Sequence, residues 1–340
     1  MSTTTTRPRV SVVVPGKDVE SYVADALTSL TRQMEDPRQL EVVVVDDGSR
    51  DNTGEVAESF RSRLPNLTIL RNESPGGVAS ARNKGLAATT GRYVAYLDSD
   101  DWLAPRRLSV LADAIEHLRV AFLFTDHTTV AGRKRNLVRA PQARRGVVLD
   151  PRDSILPENH STMVDYPYSW AVLFDRELLH DGFMTFPDGL HSAEDRPWIW
   201  NLFLNGPPYA VVDAPTLCYR RDVETSLTAT YDRRQLDIFP ALERVLDLVR
   251  ADRESEKYAP KIARTVMALM SHHMRRSNRM TREVRAELRS RASHLISQLP
   301  HDLLVREIRE MSRERARSLH GLLPAGVSDR RRAAADGGDR

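Results

Sequence analysis

Short apolar runs that each stop abruptly in polar, mostly acidic residues constrain this chain more than any other feature. Val10-Ser11-Val12-Val13-Val14 ends at Pro15, Glu41-Val42-Val43-Val44-Val45 ends at Asp46-Asp47-Gly48-Ser49, and Arg92 to Leu97 ends at Asp98-Ser99-Asp100-Asp101. Runs that are apolar without alternation belong to strands covered on both faces, the habit of a parallel sheet between helices. The segments between them agree. Glu20 to Gln33 places Val23, Leu27 and Leu30 at helical spacing, Asp51 stands where a cap belongs for a short helix to about Arg61, and Val78 to Ala88 is alanine-rich. Leu67 to Leu70 and Val120 to Thr125 complete a set of five expected strands, and Pro105 suits the first turn of a helix ending near His117. Strand and helix alternating in this way specify an α/β fold.

Parallel strands joined by helical crossovers gather ligands at their carboxyl ends. Pro15 to Asp18, Asp46 to Ser49 and Asp98 to Asp101 are therefore expected to converge. Three carboxylates within four residues, Asp98, Asp100 and Asp101, repel one another in a low-dielectric cleft unless a cation offsets them. Hard oxygen ligands of this kind suit Mg2+ or Mn2+. Taken alone, the triplet reads more readily as a solvated acidic turn capping the helix that begins near Pro105, and a turn with Gly48 is the alternative reading of Asp46-Asp47.

Composition sets the outer limits. A length of 340 residues with 41% hydrophobic residues suits one large α/β domain plus an accessory segment. No apolar stretch approaches the ~20 residues that span a bilayer, and the polar Met1 to Arg9 lacks the apolar core of a secretory signal. The single Cys218 excludes an internal disulfide and a cysteine zinc cluster, so a reducing cytoplasm is the expected setting. The net charge of +3 is too small to argue for nucleic acid. It divides unevenly, with 15 basic and 17 acidic residues in 1–125 against 35 and 30 in 126–340.

Four motifs in order make the reading specific. They are Val12-Val13-Val14-Pro15, Val44-Val45-Asp46-Asp47-Gly48-Ser49-Arg50-Asp51, Gly76-Gly77-Val78-Ala79-Ser80-Ala81-Arg82-Asn83-Lys84-Gly85, and Asp98-Ser99-Asp100-Asp101, with Ala193-Glu194-Asp195 later. This set resembles the inverting glycosyltransferases of family 2 over roughly residues 9 to 225, about two-thirds of the chain. The resemblance implies a GT-A fold, a mixed Rossmann-like sheet flanked by helices, with a nucleotide-sugar donor. It places Pro15 beside the nucleotide base, Asp46 and Asp47 at uracil or ribose, and Gly77, Arg82 and Asn83 along the ribose and diphosphate. Asp98 would meet the ribose or sugar. Asp100, with Asp98, would hold the metal, while Asp101 supports from behind. Asp195 becomes the expected general base and Glu194 a residue that orients the acceptor. Arg220 or Arg221, in the segment Tyr219 to Ser226, would clamp phosphate.

Two departures stand out. After Pro15 the family commonly has an aromatic residue and an Asn, where this chain has Gly16-Lys17-Asp18, and no metal-binding His is evident near Arg220-Arg221. UDP remains the expected nucleotide.

The expected organisation is a GT-A catalytic domain over 1–230, divided into a donor half (about 9–125) and an acceptor half (about 126–230). A helical region follows over 231–322, then a polar tail over 323–340. Helices are expected near 232–252, 257–276, 281–298 and 301–319. Their apolar positions face a core or a second copy, and Met270, Met274 and Met280 beside Arg275, Arg276 and Arg279 allow peripheral contact with the inner face of a membrane. His127 to Leu149 carries Arg133, Lys134, Arg135, Arg139, Arg144 and Arg145 without an acid, which reads as a solvated hairpin or an anion-attracting surface. Tyr166, Tyr168, Trp170, Trp198 and Trp200 are candidates for sugar stacking or for core. The expected acceptor is a saccharide, a polyol polymer or a lipid-linked sugar. The competing readings are a catalytically silent scaffold of the same fold and a sugar-phosphate nucleotidyltransferase. The latter calls for a glycine-rich basic loop after the first strand, for which Gly16-Lys17 is too sparse.

Overall fold

The structure, a computed structural model, describes residues 7–221 and 231–327. The segment from Asp222 to Ser226 in the expected phosphate loop and most of the C-terminal tail lie outside the described residues. The chain separates into two compact units. One holds the described residues up to Ser154 together with Thr162 to Arg221, and the other holds Ile155–Ser161 and everything described from Tyr231 onward.

The first unit is built on strands β1 (Val10–Gly16), β2 (Leu40–Asp46), β3 (Leu67–Arg71), β4 (Tyr93–Tyr96), β5 (Trp102–Leu103), β6 (Phe122–Thr125), β7 (His127–Ala131), β8 (Lys134–Val138), β9 (Val172–Asp175), β10 (Tyr209–Val212) and β11 (Leu217–Arg220). Seven of them form one sheet in the order β10-β6-β9-β4-β1-β2-β3. The valine runs of β1 and β2 pair in parallel and are buried throughout, as their lack of alternation requires. Helices α1 (Val23–Leu30), α2 (Thr53–Glu58), α3 (Val78–Ala88) and α4 (Arg107–Leu118) are the crossovers, and α5 (Asp195–Asn205) follows β9.

The sheet corrects one expectation: it is not parallel throughout. Strand β9 lies antiparallel between β4 and β6, so the expected fourth and fifth strands are not neighbours. Trp170-Ala171-Val172-Leu173-Phe174 is a short apolar run in an irregular, aromatic-rich stretch, and periodicity alone does not tell such a run from other core. A second correction concerns α4, which starts at Arg107 rather than Pro105. Trp102-Leu103 first extends as β5 against β11, and Arg106 turns the chain in the left-handed region at φ 63°. Strands β5, β11, β7 and β8 form a separate four-stranded sheet in that order. The basic run of 133–138 is the β8 edge of its β7–β8 hairpin.

The second unit is helical: α6 (Ile238–Ala251), α7 (Ser255–Arg276), α8 (Arg282–Ser297), α9 (His301–Glu310) and α10 (Arg313–Ser318). The helix expected over 301–319 breaks at Met311-Ser312, where the Ser312 hydroxyl accepts from the Arg315 N–H and starts a new helix. Leu242, Val245, Leu246, Val249, Val266 and Met270 are buried. So are Met274 and Met280, which removes the basis for membrane contact through these methionines. Among the described residues no helix is long and apolar enough to cross a membrane.

Candidate active site

The carboxyl ends of β1, β2 and β4 meet as the strand pattern requires. The Asp47 N–H donates to Gly16 O at 2.9 Å, the Asp18 N–H to Ser49 Oγ at 2.9 Å, and the Arg50 N–H to Asp18 Oδ1 at 2.8 Å, so the first two strand-end loops are laced together. Pro15 is buried in the last pairs of β1, opposite Val45. A Cβ on Gly16 would lie 3.0 Å from Ser99 Oγ, which is how closely the third loop, Asp98 to Asp101, packs on the first.

Asp46 and Asp47 are both buried but differ in function. Asp47 braces the glycine turn before α3: Oδ1 accepts from Asn72 Nδ2 (2.6 Å) and the Gly76 N–H (2.8 Å), and Oδ2 from the Gly77 N–H (2.8 Å). Gly77 sits at φ 87°, ψ 166°, a conformation effectively reserved for glycine. Asp46 Oδ1 accepts from the Ser49 N–H at 2.8 Å, while Oδ2 is buried without a hydrogen bond and lies 3.6 Å from Arg71 Nε. Of the pair, Asp46 therefore keeps the free acceptor.

Helix α3 carries the joint between the two halves of the site. Arg82 is 5% exposed; its Nη2 donates to Asp98 Oδ1 at 2.8 Å and its Nη1 to Glu194 Oε1 at 2.7 Å. Burial opposes the guanidinium charge, but Asp98 and Glu194 outweigh it and hold Arg82 firmly protonated. At the next position of α3, the Asn83 amide donates to Phe186 O (2.8 Å) and accepts from the Phe186 N–H (2.9 Å). Asn83 thus fastens the Phe186 end of the segment that leads to Glu194 to α3.

That segment delivers the expected base. Ala193 adopts φ 60°, in the left-handed region, and Glu194 opens α5 without a side-chain cap bond. The simple capping reading of Glu194 therefore fails, because its carboxylate goes to Arg82 instead. Asp195 follows as the first helical residue. Burial, then the neighbouring Glu194 charge, push its carboxyl up to about 7, the range in which a carboxylate works as a proton acceptor near neutral pH.

The Asp98 to Asp101 turn shows the repulsion its spacing implies. Burial, then Asp98, push Asp100 up to about 6, and Asp101 is raised well above the usual range by burial and by Asp100. Asp101 is fully buried; Oδ1 accepts from the Arg220 N–H at 2.7 Å while Oδ2 has no partner. These oxygen donors fit a magnesium or manganese ion. Among the described residues no cluster of three or more His, Cys, Asp or Glu encloses a metal by itself. Asp98 Oδ1 is already taken by Arg82, so Asp100 is the ligand with the fewest competing bonds.

Arg220 and Arg221 separate cleanly. Arg220 is committed to the protein: Nε donates to Asp100 O (2.8 Å), Nη2 to Asp25 Oδ2 (2.9 Å), and the guanidinium lies 4.7 Å from the centre of the Trp102 ring. Arg221 is exposed, rests on Tyr219 with Nη1 3.0 Å from the phenol oxygen, and has no carboxylate partner among the described residues. Asp25 and Trp102 were not legible as parts of the site, since each belongs to an ordinary amphipathic or loop pattern. Of the aromatic candidates, Tyr166, Trp198 and Trp200 are core, and His127 is a buried ring whose Nδ1 lies 2.6 Å from Tyr166 Oη. Burial, then Arg107, push it down to about 4. Tyr168 and Tyr219 stay partly exposed, with Trp170 stacked beneath Tyr168 at 4.8 Å.

The profile of Glycosyl transferase family 2 matches residues 11–180, half of the chain, the part that supplies six of the seven strands of the main sheet, α3 and the acidic turn. The chain belongs to glycosyl transferase family 2. Its sequence is 28% identical over 217 residues to the uncharacterized glycosyltransferase EpsJ of Bacillus subtilis, covering 63% of this chain and 62% of that one. It is 31% identical over 214 residues to the poly(ribitol-phosphate) beta-N-acetylglucosaminyltransferase TarS of Staphylococcus aureus, covering 62% of this chain and 35% of that one. The chain thus spans less than two-thirds of either relative. The crystal structure of S. aureus TarS residues 1–349 with UDP-GlcNAc superposes with a TM-score of 0.71 at 23% identity, covering 91% of this chain and 88% of that one. The fold of this family 2 member is accordingly the GT-A fold, a mixed sheet flanked by helices with a helical C-terminal region.

Proposed function

We propose that this chain is an inverting, metal-dependent glycosyltransferase, its catalytic domain spanning about 1–230, that moves one sugar from a UDP-linked donor to a hydroxyl of an acceptor. The observation that carries the reading is the Arg82 bridge. One buried cation ties Asp98, at the end of β4, to Glu194, next to Asp195. A group able to take a proton is thereby held at a fixed place relative to the acidic strand ends.

Within that frame, Asp46 with its unfilled Oδ2 is the base- or ribose-facing acceptor, and the Gly76-Gly77 turn braced by Asp47 is the glycine entry to α3 beside which the ribose and diphosphate would lie. Asp100, with Asp98, would hold Mg2+ or Mn2+, which when bound offsets the charge of the departing diphosphate. Arg221 adds a side-chain cation to that charge, while Arg220 keeps Asp100 and Asp101 in place. Asp195 accepts the proton of the acceptor hydroxyl as the hydroxyl oxygen attacks the anomeric carbon from the face opposite the diphosphate. Single displacement of this kind inverts the configuration. Tyr168 and Tyr219 flank the acceptor side. TarS, a poly(ribitol-phosphate) N-acetylglucosaminyltransferase crystallised with UDP-GlcNAc, supports a UDP-N-acetylhexosamine donor and a polyol-phosphate or saccharide acceptor.

The test is a thermal-unfolding screen of UDP-, GDP-, TDP- and CDP-sugars with and without manganese. Ligand at a hundred times its Kd stabilises by about 2.7 kcal/mol, so UDP-sugars with manganese should raise Tm selectively. No shift with any donor, together with no donor hydrolysis, would favour the silent-scaffold reading.

A further inference from the structure

We infer that the β7–β8 hairpin and the strap that follows it form a docking surface for an anionic lipid bilayer. Among the described residues the large apolar side chains that stand exposed are Leu137 (57%), Val147 (39%) and Val148 (50%). All three fall inside the one stretch, His127 to Leu149, that carries six basic residues and no acid. Five of the six cations, Arg133, Lys134, Arg135, Arg139 and Arg144, are exposed and have no carboxylate partner among the described residues. The sixth, Arg145, is used internally. Its Nη2 donates to Asp126 Oδ1 at 2.9 Å, and Asp213 lies 3.9 Å from its Nη1.

Asp126 also binds the two pieces together. The same Oδ1 accepts from the Ala140 N–H at 2.8 Å, and Arg145 reaches back to Ala140 O at 3.2 Å. The end of the hairpin that carries Leu137 and the strap that carries Val147 and Val148 are therefore pinned at one point. The strap in turn is fixed to the main sheet, with the Gly146 N–H donating to Val211 O and Leu149 bridging Tyr209.

Cations on an edge strand commonly serve only to prevent edge-to-edge pairing. Such a guard has no use for exposed leucine and valine, which invite association. Interleaved cations and apolar side chains are instead the composition that lies in a headgroup layer, the charges meeting lipid phosphates and the apolar groups entering the acyl boundary. A soluble polyanion would use the charges and leave Leu137, Val147 and Val148 in water, so the bilayer is the partner that accounts for all eight side chains. The placement has a consequence for the reaction. Strand β7 pairs in parallel with β11, and the Arg221 N–H donates to Val130 O at 2.8 Å, so the docked hairpin belongs to the same small sheet as the arginines of the site. A bilayer seated there would put a lipid-linked acceptor near its transfer point, a consequence that rests on the proposed function. The docking itself does not.

Flotation of the full chain with vesicles tests it, without donor or turnover. Phosphatidylcholine vesicles containing about a third phosphatidylglycerol should capture the protein, pure phosphatidylcholine should not, and raised salt should release it. R133Q/K134Q/R135Q should partition about a hundredfold more weakly, from three charges at roughly fivefold each. Leu137→Asp should also weaken capture with its thermal unfolding unchanged, since Leu137 is exposed. Equal capture by neutral and anionic vesicles, or none by either, would overturn the inference. So would binding to inorganic polyphosphate as tight as to vesicles, with both unaffected by Leu137→Asp, because the partner would then be a soluble polyanion.

Discussion

Replacing Arg82 with methionine probes the joint on which the site depends. Methionine preserves much of the aliphatic volume, so the expected effect comes from charge rather than from a cavity. Glu194, 7% exposed, loses the cation 2.7 Å away and stays buried as an uncompensated carboxylate. Removing one member of a buried ion pair costs about 3–5 kcal/mol. Asp98 adds less, because its side chain is 26% exposed and water screens part of its loss. The expected destabilisation of the α/β unit is therefore about 3–5 kcal/mol, or a Tm lower by roughly 10 °C at about 2–4 °C per kcal/mol for a unit of this size. Equilibrium urea unfolding read by tryptophan fluorescence, to which the buried Trp198 and Trp200 of α5 contribute, measures it. The double variant Arg82→Met/Glu194→Gln should recover part of the loss, with a coupling of about 0.5–3 kcal/mol. A loss below about 1 kcal/mol, or strict additivity in the double variant, would show that the bridge does not carry the site.

Other consequences follow from the same geometry. Asp195→Asn should lower transfer by about a hundredfold to ten-thousandfold while calorimetry still finds the donor bound; loss of binding would refute the base assignment. In the parent, kcat/KM should fall as pH drops through about 7, where Asp195 takes up a proton, and a profile flat from pH 8 to pH 5 would exclude it as the base. The sign for stability is the reverse. A carboxyl raised in the folded state contributes stability below its unfolded value and loses it as pH rises through the folded one. Asp195→Asn should therefore be more stable than the parent at pH 8, by about 2–4 kcal/mol, with the gap closing near pH 4; equal melting curves at both pH values would contradict this. Asp100→Ala should abolish the manganese-dependent part of donor affinity, and unchanged manganese-supported binding would remove Asp100 from the metal site. Gly85→Ala should destabilise by about 1–3 kcal/mol, because a Cβ there overlaps Val13 Cγ1 and reaches Val45 Cγ2 at 3.0 Å; a neutral result in urea unfolding would mean that α3 can retreat from the sheet.

The chain's local pattern was enough to determine much of the donor half. Apolar runs without alternation can be only covered strands, so β1 and β2 and the acidic turns that end them were readable from residues alone, and α3 matches its expected bounds of Val78–Ala88. Arg82 also left a trace: it lies three residues from Ala79 and three from Gly85, on the buried stripe of α3, where an arginine must find carboxylates. What that trace cannot contain is the identity of the carboxylates. Glu194 is 112 residues away, and only the insertion of β9 between β4 and β6 and the Asn83–Phe186 clamp bring it within reach. The same holds for the arginine pair, adjacent in sequence and alternatives in any linear reading. Asp25, the Asp100 carbonyl and Trp102 are drawn in by tertiary packing and consume the Arg220 guanidinium, while Arg221 stays exposed. Local sequence determined which strands end in charge, because periodicity and turn chemistry act over a few residues. Which charges are satisfied and which remain for a ligand was decided only by the fold, because electrostatic partnership depends on distance in space and not along the chain.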